Sequence, residues 1–426
     1  MKRDNFRVLL TAAALAMSIL SCTPPATDTP TAAPTSVPPT DVPATPPPTE
    51  PPTAPPTAPP TPTPTEAPGA TWLPDGTIAL YGAGPHESPT LYALSGGGGL
   101  TEREQTVAQT ARVTRSGRWL ATPTGEIGSG EIVITNLEDG TTYTISPTGE
   151  FAVYGLAFDA DATHLAILEL GSPEGGTTAW ALVVVDLTDG STRRFEATTG
   201  SDFELLPGYP IGWSGDELLL NTFVPYTEGG SQGVWGYTIP DDAPSAPVTT
   251  LSRREILPGD AYLLSPALSP DGTQLAYLGR DYDYTPEGYE SVAYDLAVNQ
   301  LGTVDLASGE ASLLVEVTDG GALGPEVTWS PDSAQILFAR GTYSEDTFSS
   351  LTLRIRDEMG TITEILPLPL PPQGYLTSLS WCRPDIASFT LATRDGTQQL
   401  YLAELSTRSM SLLTSAPGIF PVGCVQ

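Results

Sequence analysis

From about residue 70 onward the chain alternates short apolar runs with clusters of Gly, Asp, Ser and Pro, and hardly any of it shows helical spacing. The clearest unit is Leu264–Gly279, L-S-P-A-L-S-P-D-G-T-Q-L-A-Y-L-G. Two apolar runs flank the turn residues Ser269, Pro270, Asp271 and Gly272, which predicts a tight β-hairpin. Six looser copies align with it, each a bulky apolar residue, a polar turn and then an alternating strand. The anchors that correspond to Leu268 are Trp72, Val113, Phe158, Trp213, Trp329 and Trp381, spaced 41 to 61 residues apart. That is the period of a propeller blade and too long for a leucine-rich or hexapeptide solenoid. The pattern therefore predicts an all-β domain over 70–426, a single seven-bladed β-propeller, with six or eight blades as alternative counts.

The repeat dictates roles for its recurring residues. Large rings at Trp72, Phe158, Trp213, Trp329 and Trp381 are expected at the end of each innermost strand, wedged between neighbouring blades. The Asp of each Pro-Asp-Gly is a turn former. Both ends of the repeat region are in phase, from a first strand at Trp72 to a fourth near Ser411–Thr414. No strand is then left over to complete a blade from the other terminus, and Ala416–Gln426 reads as a tail across the final blade.

The first seventy residues follow another pattern. Lys2, Arg3 and Arg7 precede the apolar run Val8–Leu20, which is too short for a comfortable membrane span and reads, over 1–21, as a signal peptide. Ile19-Leu20-Ser21-Cys22 resembles the lipobox of bacterial lipoproteins, which implies that Cys22 is acylated and becomes the new N-terminus. Over 22–69 the chain is almost wholly Pro, Thr and Ala. Such a segment buries too little to offset its ordering entropy and is expected to be a disordered, extended stalk. The expected address is the extracytoplasmic face of the cell membrane. With Cys22 acylated, Cys382 and Cys424 are the only thiols in an oxidising compartment, and a Cys382–Cys424 disulfide pinning the tail is expected.

Composition narrows the partners. The chain of 426 residues carries 18 basic and 50 acidic residues, a formal net charge of -32. Nucleic acid would be repelled and is not expected as a partner. Many of the acids sit in Asp-Gly turns such as Asp139-Gly140 and Asp271-Gly272, where turn chemistry accounts for them.

Ser269–Tyr277, S-P-D-G-T-Q-L-A-Y, resembles the WD40-like repeat of the TolB-type β-propellers, and Arg394–Leu402 is similar to that family's turn into its third strand. The resemblance covers about residues 70 to 415. It implies four-stranded blades around a central channel, and a fold rather than an activity. TolB itself has six blades beside a second domain, so a TolB transport function does not carry over.

No catalytic motif emerges. The two histidines, His86 and His164, lie in no zinc-binding spacing, and no Gly-x-Ser-x-Gly elbow precedes a helix. The informative asymmetry is in the loops between second and third strands, which lengthen in blades three to six: Gly171–Thr178, Asn221–Gln232, Gly279–Glu290 and Arg340–Ser349. A propeller gathers such loops on one face. There Tyr226, Glu228, Asp281, Tyr282, Asp283, Tyr284, Tyr289, Tyr343 and Phe348 interleave rings with acids, as recognition surfaces do. Asp281-Tyr282-Asp283 with Glu287 or Glu290 offers oxygens to Ca²⁺, but the spacing departs from an EF-hand, and no cofactor is expected. The sequence thus reads as a membrane-anchored binding or scaffold module for an envelope or surface protein or glycan, not an enzyme. A carbohydrate hydrolase or lyase at the channel mouth, or a purely structural surface module, are the alternatives.

Overall fold

The computed structural model describes residues 73, 76–84, 89–124, 130–148, 151–171, 178–199, 206–224, 231–259, 262–280, 298–344, 347–393 and 395–425. The expected signal peptide, Cys22, the stalk and Trp72 lie outside them. The chain divides into Met1–Ala58, none of it described, and Pro59–Gln426, which carries every strand below.

The described strands fall into seven sheets, antiparallel but for one short parallel pairing. Blade one contains β1 (Thr77–Ala83), β2 (Thr90–Ser95) and β3 (Leu100–Thr106). Blade two is β4 (Arg112–Val113), β5 (Trp119–Pro123), β6 (Ile132–Asn136) and β7 (Thr142–Ile145). Blade three is β8 (Phe151–Phe158), β9 (His164–Gly171), β10 (Thr178–Asp186) and β11 (Thr192–Thr199). Blade four is β12 (Gly208–Ser214), β13 (Glu217–Phe223), β14 (Ser231–Thr238) and, after a short β15 (Ala246–Pro247), β16 (Ser252–Pro258). Blade five is β17 (Tyr262–Leu268), β18 (Gln274–Arg280), β19 (Gln300–Asp305) and β20 (Ala311–Glu316). Blade six is β21 (Gly321–Trp329), β22 (Ile336–Ser344), β23 (Thr347–Arg356) and β24 (Ile362–Pro367). Blade seven is β25 (Tyr375–Arg383), β26 (Ile386–Ala392), β27 (Thr397–Glu404) and β28 (Ser409–Pro417).

The last strand, β29 (Ile419–Cys424), does not extend blade seven. It pairs antiparallel with β1, Ala79 opposite Cys424 and Ala83 opposite Ile419, and so becomes the innermost strand of blade one. The expectation that the two termini are in phase is therefore corrected: the first described strand, β1, is a second strand, and the C-terminal segment supplies the missing first. A ring whose two ends share one sheet cannot open without breaking a ladder of backbone hydrogen bonds, and that favours this phase over the one read from sequence.

The seven inner strands touch in cyclic order, β29 to β4, β8, β12, β17, β21, β25 and back to β29, so the ring is closed around a channel. There is no single central core. Seven hydrophobic clusters each straddle one pair of adjacent blades, from Leu80, Val113 and Val422 between blades one and two to Tyr81, Leu400 and Ile419 between seven and one. Middle strands packed on both faces are continuous apolar runs, as in Trp180–Val185 of β10, every residue of which is buried. Outer strands are polar where they meet water: β16 reads S-R-R-E-I-L-P and exposes its first four residues. Blade three has its outer edge covered as well, because β15 pairs in parallel with β11, Ala246 opposite Phe195.

The ring positions behave as wedges where they are described. Trp213, Trp329 and Trp381 are buried. The Trp213 indole N–H donates to the Ala157 carbonyl of the preceding blade at 3.1 Å, and Trp329 does the same to Ala267 at 2.9 Å. Trp381 instead donates to Pro384 of its own turn at 3.3 Å. The turns explain the Ser-Pro-Asp pattern. Ser269 Oγ donates to Asp271 Oδ1 at 2.6 Å while accepting the Gln274 N–H at 2.9 Å. Ser330, Asp332 and Gln335 repeat this in blade six. Gly272 closes the first turn at φ +72°, and Ser333 takes the equivalent left-handed position at φ +64°.

Candidate functional site

The inner strands enclose a cavity of about 480 Å³ that runs along the channel. Its lining includes Tyr209 and Asn221, where β12 begins and β13 ends, and Asp159, Ser269 and Pro270, at the hairpin turns of the opposite face. A second space of about 340 Å³ shares Arg112, Arg115 and Leu268 with it and continues to Thr328, Ser380 and Gly423. The two together are bordered by residues of all seven inner strands.

One end carries an aromatic stack. Tyr209 lies 4.5 Å from Phe223 between ring centroids, and Tyr154 of β8 lies 6.4 Å from Phe223 and 6.5 Å from Tyr209. Tyr209 is 47% exposed even so. A ring held from behind by two others and open in front is a rigid contact surface with little ordering entropy left to lose.

Among the described residues the cations lining the channel come from blade two. Ala111 and Val113 are buried in the wedge against blade one, so strand alternation turns Arg112 the other way, into the cavity. Arg112 is exposed as a residue, yet its guanidinium lies among the inner strands, and desolvation there lowers its pKa. It donates to the Ala111 carbonyl at 2.8 Å. Arg115, in the turn after β4, is likewise lowered by enclosure, with Asp271 of blade five pulling the other way. Asp159 also lines the cavity, but it is occupied: it accepts the N–H groups of Thr163 at 2.8 Å and His164 at 3.0 Å, and His164 Nδ1 lies 3.1 Å away.

Beside the channel, Glu326 sits in a bulge of β21 between Leu323 and Val327, and Ser265, in a bulge of β17 at φ +44°, hydrogen-bonds it. Burial pushes the Glu326 carboxyl up to about 7, against the opposing pull of Ser265. Among the described residues no group of three or more His, Cys, Asp or Glu is placed to hold a metal ion.

Of the residues expected from sequence to bind, Tyr226, Glu228, Asp281, Tyr282, Asp283, Tyr284 and Tyr289 lie outside the described residues, as do the acids considered for Ca²⁺. Tyr343 is on β22, opposite Phe348 of β23. Phe348 is corrected: it is 4% exposed and packs with Leu351, Leu368 and Leu376 between blades six and seven. Within the expected loop Arg340–Ser349 the described residues are strand, since β22 runs on to Ser344 and β23 begins at Thr347, the two paired antiparallel. Cys382 and Cys424 are joined by a disulfide, Cα to Cα 5.1 Å. Arg112, Tyr209 and Asn221 had not been singled out. The signal for Arg112 was there, a cation set between two apolar positions of a strand already anchored at Val113.

Neither a protein-family model nor a curated protein matches the sequence. Solved structures do share the fold. An oligogalacturonate lyase in complex with manganese superposes with a TM-score of 0.54 at 13% identity, over 78% of this chain and 86% of that one. A puromycin-hydrolysing peptidase from Mycobacterium tuberculosis gives 0.51 at 13%, over 83% of this chain and 56% of that one. TolB from Acinetobacter baumannii gives 0.38 at 16%, over 69% and 64%. At such identities the likeness to the lyase and the peptidase is one of fold, and the differing activities of those two show that one fold serves several uses.

Proposed function

We propose that the chain is a membrane-anchored extracytoplasmic binding module that takes its ligand at the mouth of the propeller channel. The observation that carries this reading is the open cavity edged by Tyr209, a ring stacked on Phe223 and Tyr154 and still 47% exposed. Cavities of this size suit small molecules or the tip of a larger partner. The Cys382–Cys424 disulfide supports the address, because such bonds persist in oxidising compartments. In this reading Cys22 carries the acyl anchor, 22–69 is the spacer, and the partner is an envelope or surface protein or glycan.

The test compares the full chain with Tyr209→Ala and with a chain lacking Asp281–Glu290, by cross-linking to envelope proteins and glycans in intact cells. A partner held by the parent and lost from either variant, with unchanged circular dichroism, supports the reading. Equal capture by all three overturns it. The alternative, a carbohydrate hydrolase or lyase at the same mouth, rests on a fold shared with an oligogalacturonate lyase, and a fold carries no chemistry of its own. Release of reducing or unsaturated sugar from candidate polysaccharides by the same proteins separates the two.

A further inference from the structure

We infer that the channel is an oxyanion site, in which the Arg112 guanidinium, with Arg115 beside it, takes a carboxylate, sulfate or phosphate group of a small ligand. This rests on the binding reading and deepens it by naming the chemistry of the ligand.

The channel carries charge of the opposite sign to the chain. The chain as a whole has 50 acidic residues against 18 basic ones, so a random lining of the channel would be acidic. Among the described residues bordering the two channel spaces that balance is inverted: they include Arg112 and Arg115, and Asp159 is the one carboxylate. Asp159 is already saturated by Thr163 and His164. Three arginines elsewhere point up the contrast. Arg194 meets Glu169 at 2.5 Å, Arg254 meets Glu217 at 2.6 Å and Arg354 meets Glu364 at 3.1 Å.

Arg112 makes no such pair among the described residues; its bond is to the Ala111 carbonyl, which leaves most of the guanidinium fork unused. Arg115 interacts with Asp271 only electrostatically, while Asp271 Oδ1 already accepts from Ser269 and Thr273. A guanidinium that faces the channel with most of its fork unfilled offers an oxyanion charge-assisted, bidentate hydrogen bonds. The cavity of about 480 Å³ leaves room for such a ligand to reach from Arg112 to Tyr209.

The experiment is titration calorimetry of the full chain with sodium sulfate, sodium phosphate and sodium citrate, against sodium chloride at matched ionic strength. The parent is expected to bind at least one of them saturably at one site. Arg112→Gln should weaken that binding about tenfold or more, Arg115→Gln less, and Arg112→Lys should restore part of it. Preference for citrate assigns a carboxylate ligand, and preference for sulfate or phosphate a tetrahedral one. No saturable binding by the parent, or equal binding by Arg112→Gln, overturns the inference. Should Arg112→Gln fail to fold, Arg112→Lys and Arg115→Gln decide by the same criterion. Tyr209→Ala keeps the two readings apart: loss of the cross-linked partner with no anion binding by the parent leaves the module without the anion site. Anion binding that tracks Arg112, without any partner at Tyr209, does the reverse.

Discussion

Cys382 and Cys424 stand 42 residues apart in sequence and 5.1 Å apart at Cα, one on the innermost strand of the last blade and the other on the closing strand of the first. The bond therefore crosses the seam of the ring. Tyr81 and Ser388 hydrogen-bond across the same seam.

Reduction, or Cys382→Ala, is expected to lower stability by about 4 kcal/mol, the loop-entropy value for a ring of this length. Thermal melts with and without reductant check this. A chain ending after Pro417 should fare much worse, because it lacks β29 and leaves β1 as an unpaired inner edge.

The tryptophan wedges separate packing from hydrogen bonding. Trp329→Ala should cost about 3–5 kcal/mol, as a large buried ring leaves a cavity. Trp329→Phe keeps most of the ring but strips the Ala267 carbonyl of its donor, at about 1 kcal/mol. Urea midpoints for both variants, and for the same pair at Trp213, test whether the two blades use one device. Similar costs at Trp381→Phe would argue against it, since that indole bonds its own turn.

Glu326 links stability to pH. Its carboxyl is raised from 4.5 to about 7 by burial. Below pH 4.5 the group is protonated in folded and unfolded chains alike, and its burial costs nothing in charge. Between 4.5 and 7 the unfolded chain ionises while the folded one holds its proton, so stability falls as pH rises, and above 7 the loss is complete. The total is on the order of 3 kcal/mol. Glu326→Gln should be more stable than the parent above pH 7 and indistinguishable from it below 4.5, read from urea midpoints across that range.

Arg194 guards a buried charge. Glu169 is fully buried in blade three, and desolvation raises its pKa while the Arg194 guanidinium at 2.5 Å opposes that. Arg194→Met should cost about 3–5 kcal/mol by leaving the carboxylate unpaired. Combining it with Glu169→Leu should recover most of that loss. A double variant as unstable as the single one would show that the charge is not what matters.

Much of this was legible along the chain. Period-two strands, Asp-Gly turns and a recurrence of 41 to 61 residues are local or counting properties, and they sufficed for an all-β, seven-bladed ring. The turn role of Asp271 was readable for the same reason, since its partners Ser269 and Thr273 lie within two residues. Phe348 was misplaced because a hairpin that runs on past its expected end looks, in sequence, like a loop rich in Tyr and Ser.

What the chain could not state is which strand sits beside which across hundreds of residues. The sequence determined the blades, their number and the thiols available to be joined. Only the closed ring decided that β29 belongs to blade one, and that Arg112 lines a channel where no described acid pairs with it. Strand patterns are set by near neighbours, whereas closure and enclosure depend on where the circle brings distant residues together, which no local pattern of apolar and polar positions encodes.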